Sequence, residues 1–179
     1  MSDVWTAPEN DPRTYGNPVG ELATYREYLT NYRLTIELKC QDLGAEQLAR
    51  RSVPPSTLSL LGLVRHLAHV EQSWFRRVLQ GREDEPRLYW APDAPDDDFD
   101  GAVPDQGVVD EAFTTWKQQI ALADEWLDTL DEQHLGTQVP HHDGLLSVRD
   151  VLVHLIEEYA RHAGHADLLR ECIDGRTGQ

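Results

Sequence analysis

Apolar residues recur at spacings of three and four in four separate stretches of the chain, the period of one face of an α-helix. Leu22, Tyr25, Leu29, Tyr32, Ile36, Cys40 and Leu43 predict a helix over about residues 20–43, closed near Gly44. Leu60, Leu63, Leu67, Val70, Trp74 and Val78 predict a second over about 57–80, with Ser56 as its N-cap and Gly81 beyond its end. A third, about 108–131, carries Val109, Phe113, Trp116, Ile120, Ala123, Leu127 and Leu130, a stripe suited to packing and holding no chemistry. The fourth, 147–174, opens on Ser147 with Asp150 three residues on, the pattern of a capping box.

The stretches between these helices differ in kind. Residues 1–19 contain Pro8, Pro12 and Pro18 and read as an extended lead-in, with Trp5 available to pack on the body. The segment AEQLARRSVPPS reads as one helical turn followed by a connector stiffened by Pro54 and Pro55. Residues 82–107 hold four prolines and, from Glu83 to Asp105, nine carboxylates against Arg87 alone. Lacking the ligand spacing of a calcium loop, this stretch reads as a long solvated acidic loop. Residues 132–146 form another connection, in which His141 and His142 read as exposed neighbours. The fold expected is all-α, a four-helix bundle with long connecting loops in one domain over residues 20–175.

The fourth helix departs from a purely apolar seam. Its inward positions are Val148, Val151, Leu155, Glu158, His162, His165, Leu169 and Cys172, so three titratable side chains stand where Leu or Ile is usual. Burying one unpaired costs several kcal/mol, which means the seam requires partners. Glu158 and His162 are offset by about 40° around an ideal helix, close enough to reach a single ion. His162 and His165 are about 300° apart, which turns His165 toward the rim or an open position. Two readings follow: a metal site of the kind helical bundles build from inward Glu and His, or a buried Glu–His pair with His165 at the solvent edge. On the second helix His66 borders the apolar stripe and His69 lies one turn further along. A solitary histidine there is more often part of the core, but an inward Glu and His elsewhere give His66 a second role to fill.

Composition narrows the function. The chain of 179 residues has a formal net charge of −16, which argues against nucleic acid and anionic membranes as partners. No apolar run is long enough to span a bilayer, and the first residues lack the pattern of a secretory signal, so the cytoplasm is the expected compartment. Cys40 and Cys172 both fall in predicted helices and are expected as reduced core thiols. The chain has no nucleotide-binding loop, nucleophile elbow or H-E-x-x-H motif.

Two stretches, LLGLVRHLAHVEQSWFRRVL (60–79) and LVHLIEEYARHAGHADLLRE (152–171), resemble the DinB-like superfamily, which includes the mycothiol-dependent maleylpyruvate isomerases. R-H-L is similar to that family's motif on the second helix, and His162-Ala-Gly-His165 to its H-x-G-Q. The resemblance implies a four-helix bundle of the DinB-like type and a divalent ion held by His66, Glu158 and His162. Glu at position 158 is as in the isomerases. Two differences from the family pattern are expected: His165 stands where Gln is usual, and no counterpart of the C-terminal domain that helps complete the isomerase active site is expected after residue 179. The donor set admits Zn²⁺, Ni²⁺, Mn²⁺ or Fe²⁺, with zinc or nickel favoured, and leaves coordination positions open. His69 and His165 are candidates for orienting ligands or moving protons. The expected function is a metal-dependent transferase joining a low-molecular-weight thiol such as mycothiol to a small electrophile. Alternatives are a metal hydrolase and a non-catalytic bundle with a structural His/Glu cluster. The partner expected is a small molecule, and a homodimer is admitted.

Overall fold

In the computed structural model, which describes residues 10–142 and 144–178, the chain is mostly helical. Its elements are α1 (Glu21–Cys40), α2 (Ala45–Leu48), α3 (Leu60–Glu71) continuing into a π-helical segment (Gln72–Leu79), α4 (Asp97–Asp100), α5 (Gln106–Leu127) and α6 (Val148–Asp174). A 3-10 turn (Glu132–Gly136) and a hairpin of β1 (Gln138–His141) and β2 (Gly144–Ser147) connect α5 to α6. The hairpin is antiparallel, with Gln138 opposite Ser147 and His141 opposite Gly144, so the fold is not purely α. The lead-in is tied to α1, where Thr14 N–H donates to Asn31 Oδ1 at 3.1 Å. Trp5 lies outside the described residues.

Several boundaries differ from those read along the chain. Helix α1 ends at Cys40, and Asp42 at φ 62° supplies the left-handed turn expected of Gly44, which instead caps α2. The N-cap of α3 is Ser59, whose hydroxyl accepts from Gly62 N at 3.1 Å, and Ser56 lies outside the helix. Asp105 caps α5 in the same manner and starts it two residues early. Ser147 and Asp150 form the capping box that opens α6. Cys172 is exposed while Cys40 is buried, so only one of the two free cysteines is a core thiol.

Helix α3 is buried on almost every side: Leu60, Leu61, Leu63, Val64, Leu67 and Ala68 are all inside. A helix apolar all round belongs at the centre, and α3 packs against α5, α4 and α6. Where α3 passes into the π-helical segment, the four long helices share one polar knot. Arg33 of α1 grips Glu71 of α3 with two hydrogen bonds of 2.8 and 2.9 Å and reaches Asp124 of α5 at 2.8 Å. Tyr159 of α6 donates to Glu71 at 2.6 Å and accepts from Trp116 Nε1 of α5 at 2.9 Å. The stripe of α5 thus carries a polar anchor as well as packing. Glu71 and Tyr159 are fully buried, and every one of these polar groups has a partner, which makes the burial tolerable. Tyr159 thereby locks the rotation of α6 next to Glu158.

Candidate functional site

Locked in that rotation, α6 presents Glu158 and His162 to α3, and His66 meets them from α3. The three ligand-capable atoms lie within 4.8 Å of one another, the only such group among the described residues. His162 Nε2 is 3.4 Å and His66 Nε2 4.0 Å from Glu158 Oε2, and the two rings meet edge-on with centroids 4.8 Å apart. His162 is buried, while His66 and Glu158 keep a small exposed edge. The fit to an ion can be tested from these distances. Donors bound tetrahedrally at about 2.05 Å stand roughly 3.3 Å apart. The His162–Glu158 pair at 3.4 Å is already near that separation, and the others, all within 4.8 Å, need to close by at most about 1.5 Å.

Each imidazole is held from behind. His66 Nδ1 is 2.8 Å from Asp98 Oδ2, and the Phe99 ring stacks on the His66 ring at 4.9 Å and 23°. His162 Nδ1 is 3.3 Å from His165 Nδ1, which leaves its Nε2 for Glu158. His165 therefore stands behind a prospective ligand. His69 is placed differently: its Nδ1–H donates to the Leu88 carbonyl at 2.6 Å, and its Nε2 meets Ser73 Oγ at 3.3 Å. It pins the loop before α4, together with Gln72, whose amide bonds Pro86 O and Leu88 N at 3.0 Å each.

The electrostatics follow from these contacts. The imidazoles of His162 and His66 hold the Glu158 carboxyl well below the usual carboxylate range. Burial pushes the His66 imidazolium down, but Asp98 and Glu158 outweigh it and raise its pKa to about 9. His165 is lowered, by burial first and then by His162 and Arg161. Burial also lowers His69.

Beside Glu158 runs an aromatic edge absent from the sequence reading. His154 Nε2 approaches Glu158 Oε1 at 3.5 Å, and its ring meets Trp74 at 4.6 Å. Trp74 stands on the π-helical segment, a form of helix frequent at functional sites, and touches His141 of β1 at 5.3 Å. His141 is half-buried there, and His142 remains exposed as expected.

Asp98, Arg65 and His154 are the polar residues the sequence reading missed. Asp98 is only 8% exposed, within a stretch expected to be fully solvated. The available signal was chemical: an inward histidine needs an acceptor for its other nitrogen. Nothing local says which of nine carboxylates supplies it.

This fold, with a His–Glu–His group between two helices, is of the DinB-like class. The chain matches the family described as Mycothiol-S-transferase over residues 24–175, and it belongs to that family. The conserved protein of a locus from Enterococcus faecalis has a similar fold, with a TM-score of 0.67 at 15% identity, over 88% of this chain and 99% of that one. No curated protein matches the chain. Among the described residues, no helix is long and apolar enough to cross a membrane.

Proposed function

We propose that the protein is a divalent-metal-dependent transferase that joins a low-molecular-weight thiol, mycothiol by its family, to a small electrophile. The observation that carries this reading is the convergence of His66, Glu158 and His162 within 4.8 Å, in a chain of the Mycothiol-S-transferase family. Two imidazole nitrogens and a carboxylate oxygen suit Zn²⁺ or Ni²⁺, and three ligands leave room for a reactant. A divalent ion there would lower the pKa of a thiol beside it toward neutrality. His154, at the exposed edge of Glu158, is placed to take the proton the thiol gives up. The sulfur then bonds to the electrophilic carbon, whose leaving group departs with the displaced electron pair. Trp74 and His154, whose rings meet edge to face, supply an aromatic border for an apolar electrophile.

The wider setting belongs to the same proposal. The four long helices would form a DinB-like four-helix bundle, a reading supported by α1 against α6 and α3 against α5 and α6. The cytoplasm suits free cysteines and a reduced thiol cofactor. Exposed Tyr28 of α1 and Leu168 of α6 are candidates for contact with a second copy.

The test has two parts. Protein purified without chelator should carry about one divalent ion per chain. It should then consume mycothiol in the presence of electrophiles, and lose that activity on chelation. No metal, and no uptake of added Zn²⁺ or Ni²⁺, would leave the His/Glu cluster as a structural feature.

A further inference from the structure

The contacts behind His66 come from an unexpected place, the acidic stretch that links the second and third long helices. There α4 is seated on α3 by fitted contacts. Arg65, adjacent to His66 and itself buried, donates to the carbonyls of Asp98 and Asp97 at 3.1 and 2.7 Å and to the Asp97 carboxylate at 2.9 Å. Its guanidinium lies over the Tyr89 ring, 4.0 Å from the centroid. Two glycines allow the close approach. A side chain at Gly101 would collide with Arg65 Nη2 and lie 2.8 Å from the Asp97 carbonyl, and one at Gly62 would crowd Phe99 at 3.2 Å. The outcome is that Asp98 and Phe99 are delivered to opposite features of one imidazole, its Nδ1 and its face.

We infer that Asp98 is a positioning residue for His66, and that α4 is a clamp that selects the tautomer in which His66 Nε2 faces Glu158 and His162 with a free lone pair. A neutral imidazole carries one proton, and two carboxylates compete for it. Asp98 Oδ2 is 2.8 Å from Nδ1, whereas Glu158 Oε2 is 4.0 Å from Nε2. The closer acceptor takes the proton on Nδ1. With Asp98 removed, the proton moves to Nε2, where Glu158 accepts it, and the lone pair needed for an ion turns away from the cluster. Phe99 stacks on the ring and restrains its plane, so a flip that would put carbon where Nδ1 and Nε2 now stand is opposed as well. The metal arm of this inference rests on the function proposed above; the tautomer arm does not.

The two arms are tested on the full chain as wild type, Asp98→Asn, Asp98→Ala and Gly101→Ala. Imidazole ¹⁵N resonances of metal-free protein, recorded above the pH at which His66 titrates, report the tautomer directly. Wild type should show His66 protonated on Nδ1, Asp98→Asn should keep that form through its amide oxygen, and Asp98→Ala should shift toward Nε2. Zinc affinity, measured by competition with a chelator, should fall about 10- to 100-fold in Asp98→Ala and less in Asp98→Asn. Gly101→Ala, which unseats α4 while retaining the carboxylate, should fall between wild type and Asp98→Ala in both readouts. An unchanged tautomer in Asp98→Ala, or zinc affinity within about twofold of wild type, would overturn the inference. A merely structural role would lower the melting temperature of Asp98→Ala and leave the tautomer in place. If wild type takes up no zinc, the metal reading falls, and the tautomer shift still decides what Asp98 does.

Discussion

Tyr159 O–H donates to Glu71 Oε1 at 2.6 Å, so the residue next to Glu158 on α6 is bolted to the buried carboxylate that ends α3. That carboxylate also neutralises Arg33. Truncating Glu71 to Ala leaves a buried guanidinium with only the half-exposed Asp124 as partner, and should cost about 3–5 kcal/mol in denaturant unfolding. Tyr159→Phe keeps the packing but leaves Trp116 Nε1 without its acceptor, and should cost about 1–3 kcal/mol. A Glu71→Ala protein as stable as wild type would show that the knot contributes nothing to the fold.

The candidate ligand on α3 is tested by stability as well as by metal content. At free zinc 100 times the dissociation constant, wild type should gain about 2.7 kcal/mol. If His66→Ala weakens binding about 100-fold, the gain at that same zinc concentration falls to about 0.4 kcal/mol. Thermal unfolding with and without zinc reads the difference, and an undiminished gain in His66→Ala would move the third ligand elsewhere.

His165 is expected to orient a ligand, since its Nδ1 meets the nitrogen of His162 that faces away from Glu158. His165→Gln keeps a hydrogen-bonding side chain there and restores the residue usual in DinB-like proteins. Zinc affinity should stay within about tenfold of wild type, and Glu158→Gln should lose far more. Loss of zinc from His165→Gln with retention by Glu158→Gln would reverse the two roles.

The pH dependence of the metal-free protein has a definite sign. The His66 pKa is about 9 in the fold against about 6.5 for an unperturbed histidine. Between those values the folded chain binds more protons than the unfolded one, so His66 contributes full stability below about pH 6.5 and loses it as pH rises through about 9. Melting temperature should fall over that interval by less in His66→Ala than in wild type. Zinc reverses the trend, because a ligand must be neutral: the zinc-induced rise in melting temperature should grow with pH over the same range.

The helical stretches and the pairing of Glu158 with His162 were accessible from the chain because both depend on spacing within one helix. A period of 3.6 places residues four apart on one face whatever surrounds them, and the Ser147–Asp150 box is local in the same sense. The chain alone points to Ser56 as the cap of the second helix, and the packed structure places the cap at Ser59 instead. Spacing puts His66 and His69 one turn apart on one helix and cannot say what either meets. Packing sent His66 to the Glu–His pair and His69 to the Leu88 carbonyl. The acidic loop read as solvated because its composition is polar throughout, yet one of its carboxylates, Asp98, is buried against an imidazole. The Arg33–Glu71–Tyr159–Trp116 knot likewise joins residues from four helices, and the hairpin brings His141 to Trp74 from the far side of a connection. Which polar group satisfies which is decided by the segments that pack together, and the free energy that brings them together is spread over the whole apolar interior.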